Sequence, residues 1–147
     1  MPTEELFGAY NFLLEIQGVV GDNKIIVGGF KSMSGMDSET EIVEFKQGND
    51  TVVRKKPGRT TYANIVLERG YTGTDDLWQW RMNIENGKID RRSGSIVILD
   101  QDGQTEVARY NFYEGWPCKW YVPDMNSDSS AMAIEKIEIA VEKVERG

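Results

Sequence analysis

The sequence holds no histidine in 147 residues and one cysteine, Cys118. Without histidine there is no Ser-His or Cys-His nucleophile pair, no imidazole zinc site, and none of the side chains that most often act as a base near neutral pH. A lone cysteine has no disulfide partner within the chain, and no CxxC pair is present to hold a metal or cycle as a redox dithiol. Long apolar runs are also missing. None approaches the roughly 20 residues of a membrane-spanning helix, and "MPTEELFGAY" has neither the basic start nor the apolar stretch of a signal peptide. Direct membrane insertion is therefore not expected, and synthesis in the cytoplasm is. Basic excess is the last absence: a net charge of -7 is the wrong sign for a surface that binds nucleic acid by neutralising phosphates. No catalytic residue, metal site or cofactor is expected.

What is present is a β-rich pattern of a size that suits one domain over residues 1–147. Fifteen glycines separate short segments rich in Val, Ile, Tyr, Phe and Trp, as in chains of many strands joined by turns. In "YNFLLEIQGV" (10–19) Phe12, Leu14 and Ile16 share one face, and "VGDNK" offers a turn before "IIVGGF", which predicts a hairpin. "ETEIVEF" (39–45) has no clean apolar side, so Glu39, Glu41 and Glu44 are expected on a polar surface or an assembly interface. The stretch "KQGNDTVVRKKPGRTTY" (46–62) reads as a long polar excursion that protrudes from the body, with a short "TVV" strand inside it.

Beyond it, "ANIVLERG" (63–70) returns to strand character. "TGTDDLWQWRMNIENG" then changes period: Thr74 can cap a helix, Asp75 and Asp76 suit its positive end, Leu77, Trp80 and Ile84 recur at helical spacing, and Gly87 supplies a left-handed stop. "RRSGSIVILDQDGQTEVARYNFYEGW" (91–116) predicts a second hairpin with its turn at Asp102 and Gly103. The closing "AMAIEKIEIAVEKVE" fits both a helical stripe, through Ile134, Ile137, Val141 and Val144, and strand alternation, through Ile137, Ile139 and Val141. Its β-branched residues favour a strand, with a bulge at Lys136.

Aromatic residues crowd "NFYEGWPCKW" (111–120), around Cys118. A thiol nucleophile needs a base or a cation beside it, and Lys119 points to the opposite face of a strand, so a small packed thiol is the simpler reading. Clustered aromatics usually pack, which makes Phe112, Trp116 and Trp120, with Leu77, Trp78, Trp80 and Ile84 of the helix, candidate packing anchors. Gly115 and Pro117 read as the bend that ends the strand. A second reading makes Trp116, Trp120 and Tyr121 a platform for a small ligand or carbohydrate on a monomeric β module.

The basic excursion beside an acidic strand suits a self-complementary contact between copies of one protein, with Gln47, Gly48, Asn49, Asp50, Arg54, Lys55, Lys56, Pro57, Gly58 and Arg59 as the contact loop. The glycines of "GYTGTDD" precede a helix as phosphate loops do, but Asp75 and Asp76 repel an anion there. "DQDG" lacks the spacing of a calcium loop.

Taken in order, "YNFLLEIQGV", "GFKSMSGMDSETEIVEFKQGND", "RKKPGRTTYANIVLERG", "LWQW", "RRSGSIVILDQDG", "ARYNFYEGWPCKW" and "AIEKIEIAVE" resemble the T4-like phage tail tube proteins, a family that includes the inner-tube proteins of contractile injection systems. The resemblance covers residues 7 to 145. It implies a mainly β fold, a two-sheet antiparallel barrel or sandwich with one short helix, and a C-terminal strand. It further implies a homo-hexamer whose rings stack into a hollow tube inside a contractile sheath. Its partners would be the sheath protein, baseplate and tube-terminating proteins, with an effector or DNA as cargo in the lumen. The excursion at about 46–60 matches the segment that contacts the neighbouring ring in such tubes. Assembly in the bacterial cytoplasm and a final place in a phage-tail-like particle follow from the same resemblance.

Overall fold

The computed structural model describes residues 11–17, 24–27, 30–70, 76–100, 104–122 and 134–147. Ten strands and one helix appear among them: β1 Asn11–Gln17, β2 Lys24–Val27, β3 Phe30–Ser34, β4 Ser38–Phe45, β5 Arg54–Tyr62, β6 Ile65–Gly70, α1 Asp76–Glu85, β7 Arg92–Leu99, β8 Glu106–Tyr121, β9 Ile134–Ala140 and β10 Lys143–Arg146. The alternation in β1 places Phe12, Leu14 and Ile16 in the core, as expected, and β1 pairs antiparallel with β2 from Leu14↔Val27 to Gln17↔Lys24. The turn between them lies outside the described residues, as do Thr74, Asp75, Asp102 and Gly103.

The long strand β8 is shared by two antiparallel sheets. Its first half lies between β7 and β10, which continues the order β2, β1, β7; its second half pairs with β9, followed by β6 and β3. The expectation that Gly115 and Pro117 end the strand is thus corrected: the chain bends there and keeps pairing. Glu114 adopts φ 55°, the last β7 pair is Arg92↔Gly115, and the β9 ladder starts at Trp116↔Ala140. A single strand therefore turns the corner between the two sheets, and β3 of one sheet lies against β1 of the other.

The C-terminal segment is a strand, which settles the two periods left open by the sequence. Its Lys136 sits in regular ladders with Glu68 and Tyr121, so the expected bulge is absent there. The irregularity falls across the ladder instead, between Pro117 and Lys119, and makes Cys118 the extra residue of β8. Lys136 was a poor marker because a charged residue in β9 needs no bulge when its side chain faces outward; it reaches Glu68 at 3.5 Å.

Phe112 occupies the centre of this corner, fully buried, with Leu14, Ile16, Ile65, Leu67, Ile96, Ile137 and Ile139 around the same core. Two glycines make room for its ring. A Cβ at Gly94 would lie 2.7 Å from Phe112 Cζ and 2.3 Å from the Glu15 carbonyl oxygen, and one at Gly115 would lie 2.8 Å from Phe112 Cε2. Helix α1 closes the core with Leu77 and Trp80, both fully buried, while Ile84 is half-buried. Its end is a Schellman stop: Gly87 at φ 82° donates to the Ile84 carbonyl and Lys88 to the Asn83 carbonyl.

Polar bonds then fix the helix to the sheets. Trp80 Nε1 donates to the Asp90 carbonyl at 2.9 Å, Arg92 lies over the Trp80 ring at 5.2 Å, and Arg81 donates to the Pro117 carbonyl at 3.0 Å. Burial opposes the charge of Asp90, but hydrogen bonds from Arg92 and Asn83 outweigh it and hold the carboxyl below its usual range. The packing at the corner gives a direct expectation. Gly94→Ala should lower stability by about 1–3 kcal/mol through the clash with Phe112 and the β1 backbone, read as a lower urea midpoint with unchanged slope; an unchanged midpoint would show that the ring has room to move.

Candidate assembly surface

The excursion seen in the sequence, a protruding loop or hairpin at about 46–60, forms part of a β-hairpin. β4 and β5 pair with each other, from Ser38↔Tyr62 to Phe45↔Arg54, and form a two-stranded sheet of their own. One expectation changes here. The "TVV" residues 51–53 are not a strand but part of the tip, and Arg54, Lys55, Lys56, Pro57, Gly58 and Arg59 lie in β5. A segment rich in Lys, Arg, Pro and Gly hides its strand because nothing in it alternates between apolar and polar. Its β structure comes from pairing with β4.

The base of the hairpin is held tightly. Gly35 and Met36 take positive φ of 100° and 63°, Ala63 donates to the Asp37 carbonyl at 2.9 Å, and a Cβ at Gly35 would lie 1.9 Å from the Asn64 carbonyl oxygen. Midway along, two residues of β5 oppose Glu41, and a Cβ at Gly58 would approach Val43 Cγ2 to 2.9 Å. Thr40 and Thr60 share a hydroxyl hydrogen bond at 2.9 Å across the strands.

Of the described body β10 comes near β5, and most of the hairpin is left uncovered. Val43, Asp50 and Tyr62 are half-buried and every other residue from 38 to 62 is exposed. Ile42 is 63% exposed and Val52 59%, and Phe45 and Val53 are exposed with them. Among the described residues four of the eight exposed large hydrophobic ones thus sit on one hairpin, a concentration typical of surfaces that meet another molecule.

Its charges are also unspent. Arg54 reaches Asp50 at 3.2 Å and Lys56 lies over the Phe45 ring at 5.7 Å, but Glu39, Glu41, Glu44, Lys46, Lys55 and Arg59 form no ion pair or side-chain hydrogen bond with any described residue. Elsewhere charges are mostly paired: Arg109 bridges Glu15 at 2.7 Å and Glu106 at 2.6 Å, Lys143 meets Glu145 at 2.7 Å, and Arg91 meets Glu142 at 3.0 Å.

The other residues singled out by the sequence lie apart from the hairpin. Trp116 and Trp120 are half-buried and Trp78 is exposed; Trp78 meets Trp120 edge-on with ring centroids 5.2 Å apart. Tyr121 carries Lys119 and Lys136 at 4.5 and 4.6 Å from its ring centre. The rings of Trp120 and Tyr121 thus make contacts within the chain. Sequence reasoning missed the buried pair Arg69 and Glu135. They face each other across β6 and β9 at 2.8 Å, with side chains 4% and 6% exposed, and Arg69 also lies over the Phe30 ring. No local signal marks a pair whose members stand 66 residues apart.

Cys118 Sγ sits 3.5 Å from the Glu138 carbonyl oxygen and 3.7 Å from Glu138 Oε2. Burial first, and then the Glu138 carboxylate, push its thiol above the ordinary value. The thiolate is disfavoured, the reverse of what a nucleophile needs. At about pH 8 a thiol reagent should therefore label Cys118 more slowly than free cysteine, and Glu138→Gln should speed it. Faster labelling than free cysteine would show an activated thiol.

Comparison with known proteins accords with this architecture. Among curated protein sequences none matches the chain significantly. A chain of the sheath-tube complex of the extracellular contractile injection system PVC, in its extended state, is similar with a TM-score of 0.81 and 23% identity, covering 98% of this chain and 93% of that one. A chain of the tube-terminating cap of the anti-feeding prophage has a TM-score of 0.81 and 20% identity, covering 100% and 94%. Hcp1 from Flavobacterium johnsoniae is more distant, with a TM-score of 0.51 and 16% identity, covering 92% and 94%. The sequence itself matches the family described as T4-like virus tail tube protein gp19 over residues 8–145, and the chain belongs to that family.

Proposed function

We propose that the chain is a structural subunit, without enzymatic activity, of the inner tube of a contractile injection machine or phage-like tail. Hexameric rings of it stack into a hollow tube within a contractile sheath, meet a baseplate at one end and a terminating protein at the other, and conduct an effector or DNA. Family membership over nearly the whole chain carries this reading. Relatives of the same fold are described as parts of sheath-tube, cap and baseplate complexes. No described helix is long and apolar enough to cross a membrane. Assembly takes place in the bacterial cytoplasm and the product works in a phage-tail-like particle.

The hairpin supports the reading from the physical side. It is fixed at its base, exposed on both faces, and ends in the tip 46–53, which carries Val52 and Val53 into solvent. In a stacked tube the tip, with Gln47, Gly48, Asn49 and Asp50, contacts the next ring, where burial of the two valines would favour stacking. The acidic side chains of β4 and the basic ones of β5 belong to the assembly surface as well.

Electron microscopy and light scattering on purified protein test this. Rings, and longer stacks when sheath or baseplate components are added, are the expected products; a protein that stays monomeric in all these conditions contradicts the proposal. Val52→Asp with Val53→Asp should leave rings in place and reduce stacks about tenfold or more, since each ~1.4 kcal/mol lost at a contact is a factor of ten. Equal loss of rings and stacks would show that the tip does not act between rings.

A further inference from the structure

The stop of α1 contains a reactive dipeptide that the tube reading does not use. Asn86–Gly87 is the one Asn-Gly pair in the sequence, and both residues are exposed. In such a pair the backbone nitrogen of the glycine can attack the side-chain carbonyl carbon of the asparagine, and the missing Cβ leaves that nitrogen unhindered. The surroundings do not add hindrance: nothing lies within 4 Å of the place a Cβ at Gly87 would take. The Asn86 carboxamide forms no hydrogen bond with any described residue and so is not held away from the backbone.

We propose that Asn86–Gly87 is a site of spontaneous deamidation, gated by the helix stop and latched open by its own product. A bond forms between Gly87 N and Asn86 Cγ, and the bond from Cγ to Nδ2 breaks. Nδ2 leaves as ammonia, taking up a proton in place of the one Gly87 N gives to the solvent. Water then opens the five-membered imide at either of its two carbonyls. The result is an aspartyl or an isoaspartyl residue in place of Asn86, with water as the only co-reactant. The inference is independent of the tube reading.

The closed turn opposes ring formation. Attack needs a Gly87 N–H free of its acceptor and rotation about the Asn86 Cα–C bond. Asn86 N donates to the Met82 carbonyl at 2.9 Å, Gly87 N to the Ile84 carbonyl at 3.0 Å and Lys88 N to the Asn83 carbonyl at 3.0 Å, so that rotation breaks the last two bonds. Reaction therefore proceeds from molecules whose last turn has opened, and helix ends are among the first parts of a fold to open. The products keep it open. An isoaspartyl residue adds a methylene to the main chain and moves Gly87 and Lys88 out of register with their acceptors. Either product also puts a carboxylate at the negative end of α1, whose last turn holds no basic residue. Asp90 follows closely: its carbonyl accepts from Trp80 at 2.9 Å and its carboxylate from Asn83 at 2.9 Å and Arg92 at 3.0 Å. A lasting opening thus reaches the anchor of the helix that closes the core.

Peptide mapping of the full chain tests it. Native protein and protein in guanidinium chloride are held at mildly alkaline pH, and conversion is followed by the amide-to-acid mass change and by enzymatic methylation of isoaspartyl carboxylates. In denaturant Asn86 should be the first asparagine to convert; another converting sooner overturns the site. In the native chain Asn86 should convert slower by about tenfold or more, the factor that two backbone hydrogen bonds supply. Equal rates overturn the gate. Lys88→Pro deletes the N–H that the Asn83 carbonyl accepts, and should speed native conversion several-fold while leaving the rate in denaturant unchanged. A native rate equal to wild type also overturns the gate. Should that variant fail to fold, Asp90→Ala, which frees the chain beyond the stop, carries the same expectation. The isoaspartyl form, separated by ion exchange, should exchange the Lys88 amide faster than the unmodified chain; equal exchange overturns the latch.

Discussion

The contact of the Phe112 ring with Gly94 and Gly115 is the constraint on which the rest of the structure depends. It lets β8 pass from one sheet to the other without breaking, because only glycine leaves space for the ring on both sides. One strand shared by two sheets brings β1, β6, β7 and β9 around a single core, which α1 closes through Leu77 and Trp80. The core is then complete without β4 and β5. Those two strands have no apolar face to bury against the body, and they project from it.

That division of labour links packing to function. The body uses its charges internally, in the Arg69–Glu135 pair, the Asp90–Arg92 pair and the Arg109 bridge. A buried pair of this kind contributes little net stability over an apolar one but is costly to break, and so fixes which strands meet. On the hairpin the charges remain largely free. Free charge and exposed apolar side chains on a rigid base are properties of a surface prepared for a partner, and a tube built from many copies of one chain supplies that partner in quantity.

Much of the body was legible in the sequence. β1 showed its inward face through Phe12, Leu14 and Ile16, and α1 showed both its spacing and its stop at Gly87. The hairpin was legible as an excursion but not as strands, because β5 is set by pairing with β4 and its own residues give no period. The passage of β8 beyond Gly115 was hidden for a related reason: a glycine and a proline normally end a strand, and only the position of the Phe112 ring shows that they turn it. Of the candidate packing anchors Phe112 is fully buried and Trp116 half-buried, a difference that an aromatic-rich stretch does not reveal because its sequence does not show which ring faces inward at a corner. The long-range Arg69–Glu135 pair had no local trace at all. For the assembly surface, Glu39, Glu41 and Glu44 were visible as a strand without an apolar face, whereas the opposition of an acidic and a basic edge required the register.

Hydrogen exchange on residues 38–62, compared between free chains and assembled rings, tests most directly the claim that the hairpin is an assembly element completed by its neighbours. Amides of the hairpin should exchange readily in the free chain and become protected on assembly. Rings that form while these amides keep exchanging at the free rate would contradict it.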